Sequence, residues 1–162
     1  MNPDGSAQTR LTSNVITDTQ PAASCVAAKV AYQSFRDGSW ELCLANLDGT
    51  GVQRLTHTTW DEVSPSWSPS GDQIAFQTNE GGMWRIAVMD VASGARWFIT
   101  RDIGDSAESP AWYYTDCEWI YFQGLHLGDW DIYRVKPDGS MSERAVYGPG
   151  MRDMLDDQVI VP

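Results

Sequence analysis

The sequence is poor in the residues on which most catalysis and metal binding depend. It has two histidines, His57 and His126, too few for a histidine-rich metal centre or the paired-histidine helix of a zinc protease. Its three cysteines, Cys25, Cys43 and Cys117, show no CxxC spacing, which argues against a zinc site and against a complete disulfide framework. Three small, largely buried thiols are expected, with one disulfide and a spare thiol as the alternative. Cationic residues are scarce as well: 11 Lys and Arg stand against 22 Asp and Glu, a net charge of -11. Such a surface repels phosphate backbones and anionic lipid, so no nucleic-acid or membrane partner is expected. No apolar run approaches the roughly 20 residues of a membrane helix, and the polar, turn-like Met1-Asn-Pro-Asp-Gly5 leads us to expect no signal peptide in this chain. A sustained helical period is missing too, which removes phosphate loops that end on a helix.

Catalytic signatures fare no better. Gly104-Asp-Ser-Ala-Glu108 begins like a nucleophile elbow but has Glu108 where a glycine is needed. Ser106 therefore reads as a loop serine. The Asp-Gly pairs at 48 and 138 lack the run of alternating acidic ligands and the distal Glu of a calcium loop, and read as hairpin turns.

What the sequence does have is a repeat. Asn2-Pro-Asp-Gly-Ser-Ala-Gln-Thr-Arg-Leu-Thr12 returns 44 residues later as Asn46-Leu-Asp-Gly-Thr-Gly-Val-Gln-Arg-Leu-Thr56, then as the segment ending in Ile99-Thr100, and after a shift of 46 as Lys136–Val146. Val30-Ala-Tyr-Gln-Ser34 recurs as Ile74-Ala-Phe-Gln-Thr78 and Ile120-Tyr-Phe-Gln-Gly124. Trp40-Glu-Leu recurs as Trp84-Arg-Ile and Trp130-Asp-Ile, and Ser64-Pro-Ser-Trp67 as Ser109-Pro-Ala-Trp112.

Each unit reads as four short strands. In the second unit these are a small-residue strand near Ser64–Ser68, a turn at Pro69–Asp72, a strand Gln73–Thr78, a loop through Gly81-Gly82, a strand Trp84–Met89, and a short returning strand that ends in Ile-Thr. A four-stranded unit of this length with recurrent Trp predicts an all-β β-propeller with four-stranded antiparallel blades. A lone sheet cannot cover two apolar faces, and stacked blades can. A β-sandwich built of the same strands predicts no such period.

Trp67-Ser-Pro-Ser-Gly-Asp-Gln-Ile-Ala-Phe76 resembles the WSPDGxxIAF core of the TolB-type, WD40-like β-propeller repeats. Asn2-Pro-Asp-Gly and Asn46-Leu-Asp-Gly followed by Arg-Leu-Thr resemble that family's closing hairpin. Ser70 replaces the family's Asp, Ala23-Ser-Cys25 stands where a Trp is usual, and Tyr113–Cys117 replaces a Ser-Pro-Asp-Gly turn. The resemblance implies the fold, a tendency toward protein binding and a periplasmic or extracellular bacterial setting, but no reaction.

The units do not make up a usual ring of 4–8 blades. The expected division is a partial blade at 1–12, blades at 13–56, 57–100 and 101–146, and a partial blade at 147–162 with a first strand near Asp157–Val161. A piece of a longer propeller, a ring completed by self-association, and a strained four-bladed ring are the three outcomes this allows.

The loops that lead from one blade's last strand to the next blade's first are rich in carboxylates: Asp18, then Asp61 and Glu62, then Asp102, Asp105 and Glu108, then Asp153, Asp156 and Asp157. The repeat places them on one face, near the central channel, where loops from successive blades converge into an acidic channel mouth. Gathered like charges there favour a cationic partner, either a basic peptide or, as the only cofactor considered, calcium; solvated turns are the plainer reading. His57, Trp60 and Arg101 share these loops and add aromatic and hydrogen-bonding contacts. The other tryptophans are expected to be packing residues, with Trp97 and Trp119 inside strands. The expected function is a non-catalytic scaffold for protein or ligand binding. The alternative is the propeller portion of a larger hydrolase, peptidase or lyase whose catalytic residues lie elsewhere.

Overall fold

The computed structural model describes residues 4–100, 104–113 and 118–145. The strands form three sheets of one design. The first holds β1 (Asp18–Ser24), β2 (Lys29–Arg36), β3 (Ser39–Asn46) and β4 (Gln53–Arg54). The second holds β5 (Glu62–Trp67), β6 (Gln73–Thr78), β7 (Arg85–Asp90) and β8 (Arg96–Phe98), and the third β9 (Ser106–Trp112), β10 (Ile120–His126), β11 (Asp129–Val135) and β12 (Ser142–Arg144). Every neighbouring pair is antiparallel and adjacent in sequence. Each sheet is thus an up-and-down meander, the blade of a propeller. Among the described residues no helix is long and apolar enough to cross a membrane.

Burial explains why the central strands lack polar alternation. Ile86, Ala87, Val88 and Met89 are all buried although they point to opposite faces of β7. One face packs forward onto the next blade: Ile86, Val88 and Ile99 share a cluster with Ala107, Trp112, Ile120, Phe122 and Val135. The other packs back: Ala87 and Met89 join Phe76, with Leu42 of the first blade. Leu44 and Ala31 of the first blade likewise meet Ile74 and Trp67 of the second. The sheets therefore stack in series as wedges and do not face each other as two layers of a sandwich.

The junctions are also stitched by hydrogen bonds at repeated positions. Each first strand carries a bulge at a residue before proline whose φ is positive: Gln20 at 52°, Ser64 at 53° and Ser109 at 55°. That conformation is costly for a residue with a side chain. It turns the backbone N–H toward the preceding blade, where the Ser64 N–H donates to Gln33 Oε1 and the Ser109 N–H to Gln77 Oε1, both at 3.1 Å. Trp67 Nε1 donates to the Ala22 carbonyl at 2.9 Å across the same junction. Gln77→Ala is expected to lower stability by about 1 kcal/mol, a single net hydrogen bond, in urea unfolding; no change would show that the bulge is held by its proline alone.

Residues 4–12 make no strand among the described residues, where a partial fourth strand was expected. They still fold as a closing turn. The Ser6 N–H donates to Asp4 Oδ1 as the Thr50 N–H does to Asp48 and the Ser140 N–H to Asp138. Leu11 then passes so close to Gly49 that a Cβ there would lie 2.5 Å from the Leu11 carbonyl oxygen, and Gly49 itself sits at φ 84°.

Candidate functional site

In each antiparallel meander the start of the first strand, the hairpin between the second and third, and the end of the fourth share one end of the sheet. The acidic loops therefore gather at that end, which forms a rim. Its centre is the loop from Leu55 to Asp61 that joins the first blade to the second.

This loop is held from beneath by two carboxylates that have left water altogether, Glu41 and Glu62, each 0% exposed. The Thr58 N–H donates to Glu41 Oε1 at 3.0 Å, and the Thr58 hydroxyl to Glu62 Oε1 at 2.8 Å. Ser39 Oγ donates to the Thr58 carbonyl at 3.0 Å. Burying two anions demands cations. Arg54 reaches Glu41 at 3.0 Å and also bonds Asp37, and Arg96 bridges Glu62 at 3.3 Å and Glu80 at 2.9 Å. The Arg54 guanidinium, helped by Arg36 and His57, holds the Asp37 carboxyl below its usual range. Burial raises Glu62 above its ordinary 4.5, Glu41 adds to the rise, and Thr58 and Arg96 oppose it.

Because folding raises this pKa, the folded chain holds the Glu62 proton more tightly than the unfolded chain does. The resulting stability is present below 4.5 and is lost as pH rises through the raised value. Glu62→Gln should therefore gain thermal stability relative to wild type as pH increases above 4.5, with the difference levelling off once Glu62 is ionised. A difference independent of pH between 4 and 8 would contradict this.

The other expected site residues fall into two groups. Asp18 and Asp61 are engaged inward. Asp18 accepts from Ser34 Oγ at 2.6 Å and Asn14 Nδ2 at 2.9 Å; Asp61 accepts from the Trp40 N–H at 2.9 Å and Asn79 Nδ2 at 3.2 Å. Glu108, half-buried in β9, accepts from Ser106 Oγ at 2.9 Å. Outward stand His57, Trp60 and Asp105, all exposed. Trp60 is seated by its own N–H, which donates to Thr58 Oγ1 at 3.1 Å. Arg101 and Asp102, with Asp153, Asp156 and Asp157, lie outside the described residues, as does Cys117; Cys25 is exposed and Cys43 buried, and both are free thiols. Among the described residues no group of three or more His, Cys, Asp or Glu side chains is arranged to hold a metal ion.

Three sequence expectations need correction. Ser106 opens strand β9 and is not in a loop. Trp119 precedes β10, and its ring makes cation–π contacts with the Arg134 guanidinium at 4.3 Å and Lys136 Nζ at 4.2 Å from the centroid. Trp130 is largely exposed and Trp40 and Trp84 only half-buried, because they stand at the mouth of the second hairpin and not along the packed middle of a blade. The supporting residues Glu41, Arg54, Thr58 and Arg96 were not anticipated. One signal was available: Glu41 interrupts the otherwise apolar Trp40–Leu44, and an ionisable group on a two-sided buried strand must have a partner.

Serially stacked, four-stranded antiparallel blades with a shared loop rim define part of a β-propeller. The sequence matches the family model described as TolB beta propeller domain over residues 1–155, and the chain belongs to that family. It is similar to TolB from Acinetobacter baumannii, with a TM-score of 0.76 and 24% identity over 90% of this chain and 36% of that one. It is also similar to putative TolB from Agrobacterium tumefaciens, with a TM-score of 0.66 and 26% identity over 75% of this chain and 43% of that one. The β-propeller domain of the Trilobed protease from Pyrococcus furiosus, described as having an open velcro topology, shares the fold at a TM-score of 0.59 and 16% identity, over 80% of this chain and 43% of that one. The chain thus spans less than half the length of each. No protein with a curated description matches the sequence.

Proposed function

We infer that the chain is a non-catalytic scaffold whose acidic rim binds a basic peptide segment of a protein partner. The observation that supports this most is Trp60, 40% exposed on a loop already fixed by Thr58, Glu41 and Glu62. An exposed aromatic on a rigid support loses little freedom on binding, and a net charge of -11 attracts a cationic partner. Peptide fits better than calcium, because the rim carboxylates nearest Trp60 are turned inward to hydrogen-bond donors of the chain itself. An octa-arginine peptide should quench or shift Trp fluorescence saturably at low salt and weaken steeply with ionic strength. Trp60→Ala should weaken binding by about tenfold or more, a hot-spot loss. Absence of binding at 50 mM salt, or equal binding by Trp60→Ala, would overturn the reading; a response to millimolar calcium alone would favour the cation.

A second reading rests on the shared fold of the Trilobed protease propeller: the chain is then the propeller portion of a larger hydrolase, and a catalytic domain encoded beside it would decide in its favour. In both readings the setting is periplasmic or extracellular, by family resemblance. Ile132, 44% exposed where Leu42 and Ile86 fill the next blade, leaves the third blade a flank on which a second copy could complete the ring. A sedimentation mass tests that.

A further inference from the structure

The loops that enter the first two blades are built on one relay and differ in the residue at its centre. In the first, the Ile16 N–H donates to Asn14 Oδ1 at 2.9 Å, and Asn14 Nδ2 donates to Asp18 at 2.9 Å. At the repeat-equivalent positions of the second, the Trp60 N–H donates to Thr58 Oγ1 at 3.1 Å, and the Thr58 hydroxyl to Glu62 Oε1 at 2.8 Å. Asn14 divides the two tasks between an oxygen that only accepts and a nitrogen that only donates, so its relay runs one way. Thr58 performs both with one oxygen, and a hydroxyl turns its hydrogen to suit the acceptors around it. A second acceptor is in reach: the Trp60 carbonyl oxygen lies 3.1 Å from Thr58 Oγ1.

The carboxyl that ends this relay is placed to change its protonation. Glu62 is fully buried, and its second oxygen has no hydrogen-bond partner among the described residues. Glu41 differs, because its Oε1 faces the Thr58 N–H and Arg54, each at 3.0 Å, and neither donor can accept a proton in return. The partners of Glu62 Oε1 are the reversible hydroxyl and Arg96 at 3.3 Å, and Arg96 keeps a closer bond to Glu80 at 2.9 Å. Burial raises the Glu62 pKa and Glu41 adds to the rise. The remaining charges around it are Arg54 and Asp37 beyond Glu41, and His57 and Asp61 in the same loop. Arg85 shares the cross-strand row of Glu62 and Thr78 but lies over the Phe98 ring.

We infer that Glu62, Thr58 and Trp60 form a proton-driven switch in the rim. While Glu62 is ionised, the Thr58 hydroxyl donates to it and the Trp60 carbonyl goes without that donor. A proton taken from solvent onto Glu62 Oε1 reverses the bond: the Glu62 O–H donates to Thr58 Oγ1, and the Thr58 hydroxyl turns its hydrogen to the Trp60 carbonyl. Trp60 is then tied to Thr58 through both its N–H and its carbonyl. For its purpose the switch rests on the rim reading: a basic partner meets a better ordered Trp60 in acidic surroundings, so less freedom is lost on binding. The switch itself is tested without a ligand, so the two readings fail separately.

Carbon-13 NMR of the free 162-residue chain between pH 4 and 8 reads both ends of the relay. The Glu62 carboxyl carbon should titrate with a midpoint above 4.5. The Trp60 carbonyl carbon should move downfield at that same midpoint as pH falls, because it gains a hydrogen-bond donor. Glu62→Gln should hold the Trp60 carbonyl at its acid position throughout, since the amide donates to Thr58 as the protonated acid does. Thr58→Ser should keep the step. Thr58→Asn installs the one-way relay that the fold already accepts at Asn14, and should abolish the step while Glu62 still titrates. His57→Gln should keep it, which separates the step from the imidazole's own titration. A Glu62 midpoint at or below 4.5, a Trp60 carbonyl indifferent to it, a step that survives in Thr58→Asn, or one lost with His57 would overturn the switch.

Discussion

Arg54→Ala should destabilise the fold by about 3 kcal/mol or more, because it strands a buried anion. Arg54 is the cation on Glu41, whose side chain has no exposed surface, while Asp37, its other partner, is open to solvent. The loss is therefore assigned to Glu41 and not to the exposed pair, which contributes little. The repeat shows how this cross-strand place can be filled differently. In the first blade it holds Glu41 and Arg54; in the third, Asp131 and Arg144 form the equivalent ion pair. In the second, Arg85 lies 5.5 Å from the ring centroid of Phe98 as a cation–π pair. All three are diagonal partners on neighbouring strands, the third and fourth of their blades. Because the fold accepts an uncharged partner at one of these places, Glu41→Leu in the Arg54→Ala background should recover most of the lost stability. Urea unfolding of the two single variants and the double variant checks this; a double variant no more stable than Arg54→Ala would show that the cost lies in lost packing of the arginine stem.

The same comparison explains what could be read from the sequence and what could not. Strand β6 was expected at Gln73–Thr78 and is found there, because turn residues bound it on both sides and its side chains suit a pleated surface. Strand β5 begins at Glu62, two residues before the expected Ser64, because an acidic residue after a polar loop gives no hint that it is buried. The arc of blades followed from the period alone. The character of the rim did not. The sequence displays Asp18, Asp61 and Glu62 as a collection of charge. The groups that hold them come from Ser34, the Trp40 backbone and Arg96, 16, 21 and 34 residues away, and a local reading has no access to such partners. Trp60 lies outside the tryptophan positions that recur from blade to blade, and it is 40% exposed.

Phe76→Ala is the second large effect, about 3–5 kcal/mol for a fully buried aromatic truncated in a packed interior. Its size is expected of any core; its distribution along the chain tests the architecture. Phe76 lies where the second blade receives Leu42 and Leu55 of the first, and no residue of the third blade shares its cluster. If the blades are wedges coupled only to their neighbours, stability is a sum of blade and junction contributions, and a wound at one junction is felt there first. Amide exchange in β2 and β3 should then accelerate far more than in β10 and β11, whose cluster centres on Trp112, Ile120 and Phe122. Phe122→Ala supplies the mirror experiment, deprotecting the third blade and sparing the first. Uniform loss of protection in both variants would mean that the three blades open as one cooperative body, and the serial account of the junctions would be wrong.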